Sequence, residues 1–315
     1  MPGFSSLDDF INEATVNGKF WRTDWNKLAL PTTAQVAGEW YDLYPGQGMP
    51  GPDGYTPTSY GNGTNLAFQP LVAGSGTVGI THGGDVSPDT KHVVNASIFA
   101  AGATTVPAVF MLIDILGYYP ITSVTTSGGT GQTLTNANPF PVRYSTVVPA
   151  TTGHGLRCFV VSSPGSATTA MGAATPSIEI TYTNSLGVTG RTTPITLPVG
   201  KTAAPKGHIV YSGVAAAGKY GPFMPMANGD QGIRSIQSFR LSTTYISGVL
   251  NLVVCRPILT LPLTTLGVAS ERDLVNQLPS LPRVYDGSVL SWLMYAGANT
   301  PTNSAYYGHL DFAWG

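Results

Sequence analysis

The chain has 315 residues, enough for one large β domain or for one domain with extended arms. Only 10% of the residues are charged, against about 25% in an ordinary soluble domain, and the formal net charge is −1. No run of Lys or Arg stands out, which argues against a surface that neutralises nucleic-acid phosphates. The 38 Gly and 25 Pro, with abundant Thr, Val, Ile and Tyr, favour strands joined by short turns and predict a mainly β protein.

The first 84 residues predict a helix followed by an extended N-terminal arm. Ser6 to Asp9 form a capping-box-like start, and apolar residues follow at helical spacing through Ala14, so we expect a short amphipathic helix that ends near Asn17. From residue 18 to residue 84, aromatic anchors flank a glycine- and proline-rich stretch at 45–54. Such a stretch is typical of a connector that crosses a surface without a core of its own.

Residues 85–263 predict a β-sandwich or jelly-roll core, because short strand candidates recur there between turn signals. In residues 177–183, Ile178, Ile180 and Tyr182 alternate with polar residues, and a second alternating run at 195–199 completes a hairpin. The other strand candidates are residues 106–116, 157–162, 208–212 and 249–255. Asp114 interrupts the first of these apolar runs, so we expect its carboxylate to be partly buried with a polar partner.

Residues 264–315 predict a second short helix and an aromatic anchor segment that packs on the core or on a neighbour. Ser270 to Asp273 form another capping-box pattern before an apolar stripe, and Pro279 stops the predicted helix. The closing stretch, residues 306–315, is too aromatic to remain in water. Its alternating apolar side chains are those that an added strand requires.

The sequence offers no motif for catalysis or for a metal site, so we expect no enzyme activity and no cofactor. It contains no nucleophile elbow, phosphate-binding loop, dinucleotide-binding loop or His-Glu-x-x-His zinc motif, and its five histidines are scattered. The sharpest polar cluster, His82 to Asp85, includes two glycines and is interpreted as an ordinary loop. Cys158 and Cys255 lie in apolar strand-like surroundings, where we expect buried, reduced thiols.

Neither membrane insertion nor secretion is predicted. The most apolar run, residues 106–116, is well short of the roughly 20 residues that a membrane-spanning helix needs. The chain begins Met1-Pro2-Gly3 without a basic segment followed by an apolar one, so we expect synthesis in the cytoplasm. With so few charges, a free monomer risks precipitation, and such a chain is easier to understand inside an assembly.

Candidate interface residues are large aromatic side chains near both ends of the chain and arginines in otherwise neutral strands. Aromatic residues and Arg are enriched at the centres of protein interfaces. The arginines serve equally well as partners of aspartates within the chain. The predicted interface set is Trp21, Trp25, Trp40, Tyr41, Arg191, Arg234, Tyr306, Tyr307, Phe312 and Trp314.

The chain resembles virion structural proteins of tailed bacteriophages. The resemblance rests on five segments, mostly in the C-terminal half: residues 182–194, 229–236, 251–257, 271–286 and 311–315. It implies a head-associated, non-enzymatic subunit of the capsid cement, decoration or minor capsid type, located in the virion. The implied partners are the major capsid protein or other virion subunits, and the implied state is a homotrimer.

Two other functions compete with this interpretation. A major capsid protein is the nearest, although no periodic helical stretch exceeds about ten residues, as a long spine helix would require. A tail or receptor-binding module is the second, with exposed Tyr and Trp side chains as stacking platforms for host glycan. The copy number per virion separates them, because a shell needs many more subunits than a tail.

Overall fold

The computed structural model describes residues 3–28, 35–46, 48–49, 60, 67–73, 79–102, 106–121, 132–134, 140, 153–162, 176–194, 197–198, 206–212, 220–243, 249–277, 281–302 and 304–315. Strands account for 53% of these residues and helices for 6%, which confirms the predicted mainly β class. All the strand pairs are antiparallel, and they form three sheets, here called A, B and C.

Sheet A joins the two ends of the chain. Its strands, in spatial order, are β14 (Ser270–Asp273), β5 (Lys91–Ala100), β17 (Ala305–Trp314), β1 (Phe20–Leu28) and β3 (Gly48–Met49), and β15 (Arg283–Val284) also pairs with β5. The C-terminal strand β17 is therefore central, with β5 on one side and β1 on the other. Helix α1 (Leu7–Ile11), capped by the Ser6 side chain, continues as a π-helical turn (Asn12–Val16) and leads into β1.

Sheet B is built around two long strands. Its order is β2 (Glu39–Asp42), β16 (Leu290–Ala296), β6 (Ala108–Ile121), β13 (Leu250–Leu263) and β8 (Arg157–Ser162), with β4 (Gln69–Pro70) also paired to β6. Strands β6 and β13 each have 14 residues and stay paired along their whole length through two irregularities of register.

Residues 206–212 close sheet B into a ring. The N–H of Asp42 in β2 donates to the carbonyl of Gly207, and the N–H of Ile209 donates to the carbonyl of Trp40. On the other side, Gly207 donates to Ser162 of β8, and the N–H of Ser162 donates to the carbonyl of His208. Because one segment satisfies both edge strands, the pairing returns from β8 to β2 as it does in a barrel.

Sheet C covers part of sheet B. Its order is β10 (Arg191–Thr192), β9 (Ser177–Asn184), β12 (Ile233–Leu241) and β7 (Gln132–Thr133), with β11 (Leu197–Pro198) also paired to β9. The predicted hairpin is confirmed, since β9 pairs with both β10 and β11. Strand β9 buries Ile178, Ile180 and Tyr182, the three residues whose alternation predicted it.

Two hydrophobic cores contact sheet B, one shared with sheet A and the other with sheet C. Phe110 and Leu112 of β6 pack with sheet A in one core, whereas Ile113 and Ile115 of the same strand pack with sheet C in the other. The two cores therefore follow one another along β6. Residues 112–117 of β6 are all buried, so both faces of the strand are covered there, which explains its almost continuous apolar run.

The second predicted helix is wrong. Ser270–Asp273 forms the edge strand β14, paired with residues 95–98 of β5, and only a 3-10 turn (Val275–Gln277) follows. The N–H of Leu274 donates to the carbonyl of Val94, and the Asp273 carboxylate accepts from the N–H of Val275. The local capping signal is real, but pairing with β5 satisfies more backbone groups than one helical turn does.

The three predicted segments meet in sheet A. Strand β1 comes from the first segment, β5 from the second and β17 from the third, and they are direct neighbours. Most of the glycine- and proline-rich stretch at 45–54 lies outside the described residues. The extended arm, the domain boundaries and the jelly-roll connectivity stay predictions.

Deleting residues 306–315 is expected to give insoluble protein, because it removes the central strand of sheet A and three large, fully buried side chains: Tyr306, Leu310 and Phe312. Each is worth about 1.5 to 3 kcal/mol, so the loss is comparable to the whole stability margin of a domain. A chain that lacks residues 3–17, which bury no side chain in α1 or in the π-helical turn, is the control and should fold. Partition between supernatant and pellet, with circular dichroism of the soluble fraction, is the measurement. A folded protein lacking β17 would contradict the expectation.

Candidate functional site

The outer face of sheet A carries a connected polar network. Arg22 of β1 donates two hydrogen bonds of 2.6 Å to the two carboxylate oxygens of Asp311 in β17. Beside it, Nδ1 of His309 lies 2.7 Å from Oγ of Ser97 in β5, and Nε2 lies 4.0 Å from the Asp311 carboxylate. Register places these residues together, because His309 pairs with Ser97 and Asp311 pairs with Arg22 across the strands.

The set of Ser97, His309 and Asp311 resembles a catalytic triad in composition, but its geometry is that of a structural network. The Ser97 hydroxyl is buried, and its oxygen accepts the backbone N–H of His309 at 3.1 Å. Gly308 packs so closely that a Cβ there would lie 1.9 Å from the carbonyl oxygen of Ser97. A nucleophile must be open to a substrate carbonyl, and this hydroxyl is covered by its own sheet.

An apolar patch borders the network at one end of sheet A. Phe99 and Tyr307, which are cross-strand partners, stack with ring centres 5.3 Å apart, and Phe99 is 36% exposed. The adjoining turn between β13 and β14 presents Leu266 and Val268 to solvent, and its Gly267 N–H donates to the carbonyl of Ala100. We call these four side chains, Phe99, Tyr307, Leu266 and Val268, the sheet A patch.

A second apolar tip lies at the end of the β9–β10 hairpin. Leu186 is 65% exposed and Val188 is 50% exposed. The side-chain oxygen of Asn184 accepts the N–H groups of both residues, so the turn that presents them is well defined. We call Leu186 and Val188 the hairpin tip.

Asp230 anchors the base of this hairpin. Its carboxylate accepts hydrogen bonds from Tyr182, Asn184 and Arg191 at 2.6 to 3.0 Å. Burial raises the pKa of Asp230, but these hydrogen bonds outweigh burial and hold the pKa below its usual value. Arg191, one of the predicted interface residues, is therefore engaged in an intrachain ion pair, an alternative that the sequence left open.

The predicted interface residues divide by burial. Trp25, Tyr41, Tyr306 and Phe312 are buried in the chain's own core, and Trp40 is half-buried against Tyr295. Trp21 and Arg234 are exposed, and Tyr307 and Trp314 are partly exposed. The role of the whole set at an interface stays a prediction. Arg191, like Trp40, is also partly exposed, so six of the ten reach the surface and can touch a neighbour without any rearrangement of the core.

The His82 to Asp85 loop is fastened by a buried lysine that sequence reasoning missed. Lys91 Nζ donates to the carbonyl oxygens of His82, at 2.7 Å, and of Gly84. Burial lowers the pKa of Lys91 to about 8. The Asp85 carboxylate accepts the N–H of Gly287, and so both titratable groups hold backbone in place. The only sequence signal was a lysine at the start of an apolar strand.

A further buried polar cluster joins sheets A and B. Asp42 of β2 accepts the N–H of Tyr44 and, at 2.5 Å, the hydroxyl of Tyr60. Burial raises the pKa of Asp42 to about 6, against the opposing effects of these hydrogen bonds and of Lys27. Burial also lowers the pKa of Lys27 to about 8. Each group is thus close to losing its charge because it is far from water.

Asp114 is buried, as expected from the sequence. Its two carboxylate oxygens accept the hydroxyl of Ser288 at 2.8 Å and the N–H of Val289 at 2.9 Å. Residues 288 and 289 lead directly into β16, so this carboxylate fixes how β16 enters sheet B. Cys158 and Cys255 are buried free thiols, also as expected.

Within the described residues, no group of three or more His, Cys, Asp or Glu side chains is placed to hold a metal ion. In the same part of the chain, no helix has the length and apolar character needed to span a membrane.

Comparisons with known proteins yield little. No family model matches the chain, and no curated protein matches it. A solved structure of mutant VP2 protein of infectious bursal disease virus, in derived T=1 particles, is 10% identical with a TM-score of 0.17, covering 99% of this chain and 80% of that chain. A structure of the Gx strain of the same virus is 9% identical with a TM-score of 0.18, covering 94% and 81%. Similarity at this level supports no conclusion about the fold or the function of this chain.

Replacing Asp114 by Ala is expected to lower the free energy of unfolding by about 2 to 5 kcal/mol, because the Ser288 hydroxyl and the Val289 N–H both lose their acceptor. Asp114→Asn keeps one acceptor oxygen and should cost less. Asp24→Ala, which removes an exposed strand carboxylate, is the matched control and should change stability by no more than about 0.5 kcal/mol. Urea unfolding followed by tryptophan fluorescence measures all three. Equal losses for Asp114→Ala and Asp24→Ala would rule out the anchoring role.

The raised pKa of Asp42 predicts a specific dependence of stability on pH. Between pH 4 and pH 6 the folded chain keeps a proton that the unfolded chain has lost, so this group's contribution falls as pH rises through that window. The free energy of unfolding of the wild type, minus that of Asp42→Asn, should therefore fall by up to about 3 kcal/mol and then level off. Urea titrations at several pH values measure the difference, with Asp24→Asn as the exposed control. A difference that rises over this window would refute the predicted ionisation of Asp42.

Proposed function

We propose that the chain is a non-enzymatic virion structural subunit that works through contacts with other protein subunits. In its finer form, the proposal is a capsid cement, decoration or minor capsid protein of a tailed bacteriophage, assembled as a homotrimer and bound to the major capsid protein. The observation that carries the proposal is the exposure of apolar side chains on turns and on the N-terminal helical segment. Turns of a free monomer are usually polar because they face water on most sides.

These exposed apolar side chains occur in three separate places. The N-terminal helical segment exposes Leu7, Ile11 and Val16, of which Val16 is 74% exposed. The hairpin tip exposes Leu186 and Val188, and the sheet A patch exposes Leu266 and Val268 together with Phe99. Clustered apolar surface of this kind, in contrast to single scattered residues, marks places where proteins associate.

The charge distribution supports the same proposal. Many of the few charged side chains are paired within the chain, as in Lys19 with Glu13 and Asp89, Arg22 with Asp311, Arg191 with Asp230 and Arg240 with Glu179. The remaining surface offers little net charge to keep copies apart. Electrostatic repulsion between copies would then oppose association through the exposed apolar side chains only weakly.

The architecture also suits a structural subunit. The proposed fold is a β-sandwich or jelly roll, supported by the packing of sheets A and C against sheet B. Extensive antiparallel pairing and two large cores make a stiff body. A stiff body that presents apolar tips can hold neighbouring subunits at fixed positions.

A tail or receptor-binding module that contacts host glycan is the second candidate, favoured by the exposed aromatic side chains. Trp21 is 44% exposed and lies over Gly83, where a Cβ would come within 2.7 Å of its ring, so the absence of a side chain leaves room for it. The stacked pair Phe99 and Tyr307 offers another flat surface. Sugar rings stack on such faces. A major capsid protein is a further alternative, and the copy number per virion distinguishes it.

Lysine introduced at the hairpin tip or at the sheet A patch is expected to break the proposed trimer. The wild-type protein at micromolar concentration should have three times the chain mass by size-exclusion chromatography with light scattering. The double variant Leu186→Lys/Val188→Lys tests the hairpin tip, and Leu266→Lys/Val268→Lys tests the sheet A patch. At least one of them should be monomeric, because burying an unpaired lysine at an interface is strongly unfavourable. Val36→Lys, at an exposed apolar site outside the tips and the patch, is the control and should stay trimeric. A monomeric wild type would contradict the proposed trimer.

A further inference from the structure

A cleft of about 280 Å³ opens between sheets A and B. Its walls are Arg256, Pro257 and Ile258 of β13 on one side and Leu281, Pro282 and Arg283 on the other. The second wall is held in place by backbone pairing, since the N–H of Val93 donates to the carbonyl of Pro282, and Arg283 pairs with His92 in β5. The cleft is therefore a built feature of the junction between the two sheets.

The charge of the cleft has one sign. Among the described residues that line it, Arg256 and Arg283 are charged and none is acidic. Both guanidinium groups lie over the same ring, that of Tyr285, with their central carbons 5.4 Å and 4.4 Å from its centre. Stacking on an aromatic face fixes the guanidinium plane while its N–H edges can still meet an acceptor.

Arg283 has an unused donor at this site. Its Nε is buried and has no hydrogen-bond partner within the described part of the chain. A buried donor without an acceptor is unfavourable. An anion bound beside the Arg283 guanidinium would supply both an acceptor and an opposite charge.

We propose that this cleft binds a carboxylate carried by an acidic peptide segment of a partner protein. A planar carboxylate matches the fork of a guanidinium group, which can donate two parallel hydrogen bonds to it. The apolar walls formed by Ile258, Leu281 and the two prolines suit the hydrocarbon stem of a Glu side chain. The apolar walls make no comparable contact with a phosphate ion, which has no hydrocarbon part. The inference goes beyond the proposed structural role, because it names the chemical group that the surface recognises.

The test uses the full chain and three probes: the peptide acetyl-Ala-Glu-Ala-amide, its Gln counterpart and inorganic phosphate. Nuclear magnetic resonance of the arginine Nε–H groups reports binding directly. The Glu peptide should shift the Arg283 and Arg256 signals saturably, and the Gln peptide should bind at least about tenfold more weakly, because it lacks the charge. No saturable shift, equal binding of the Gln peptide, or tighter binding of phosphate than of the Glu peptide would overturn the proposal.

Variants locate the effect. Arg283→Gln should weaken binding of the Glu peptide by at least about tenfold, read from the Arg256 signal. Arg283→Lys keeps the charge but loses the fork, so it should bind with intermediate affinity, and it replaces the Gln variant if that one does not fold. Arg240→Gln, which breaks an ion pair with Glu179 on sheet C, is the control and should bind normally. An equal loss in Arg240→Gln would overturn the assignment. If the chain binds the Glu peptide but is monomeric, the proposal for the cleft stands and the proposed trimer is wrong.

Discussion

The closure of sheet B by residues 206–212 is the constraint on which the rest of the structure depends. The two free edges of this sheet, β2 and β8, would otherwise expose unpaired N–H and carbonyl groups beneath the other sheets. Hydrogen bonds from Gly207 and Ile209 satisfy both edges. Sheets A and C pack against this closed sheet and share the two cores with it.

The alternation of apolar and polar residues predicted the strands whose side chains alternate regularly between core and surface. It failed where pairing with a strand distant in the sequence determines the conformation of a segment. The predicted strand at 157–162 coincides with β8, and the one at 177–183 is β9 to within one residue. Ser270–Asp273 carries a true local helix signal, yet it lies beside β5 and takes the conformation of its neighbour. The strand predicted at 208–212 is not formed as a regular strand: His208 and Ile209 pair on the two sides through isolated bridges, and no local pattern reveals that the segment closes sheet B.

The candidate surfaces were harder to predict because an aromatic side chain reads the same in a core and on a surface. Tyr306 and Tyr307 are adjacent, yet Tyr306 is buried against Phe110 while Tyr307 stacks on the exposed Phe99. Alternation places them on opposite faces, but the sequence does not tell which face is covered. The buried positions of Lys27 and Lys91 were equally hidden, since both lysines are satisfied by carbonyl groups from distant residues.

The edges that remain open constrain how this chain can associate. In the described residues, the outermost strands of sheets A and C have only two to four residues each, as in β3, β14, β7 and β10. Such short edges are poor templates for pairing with a strand of another chain. If strand edges contribute little, the proposed contacts with a partner fall to side chains. The chain has few charges, so the exposed apolar side chains and Arg283 Nε, which has no partner within the described residues, are the groups left to hold the proposed partner.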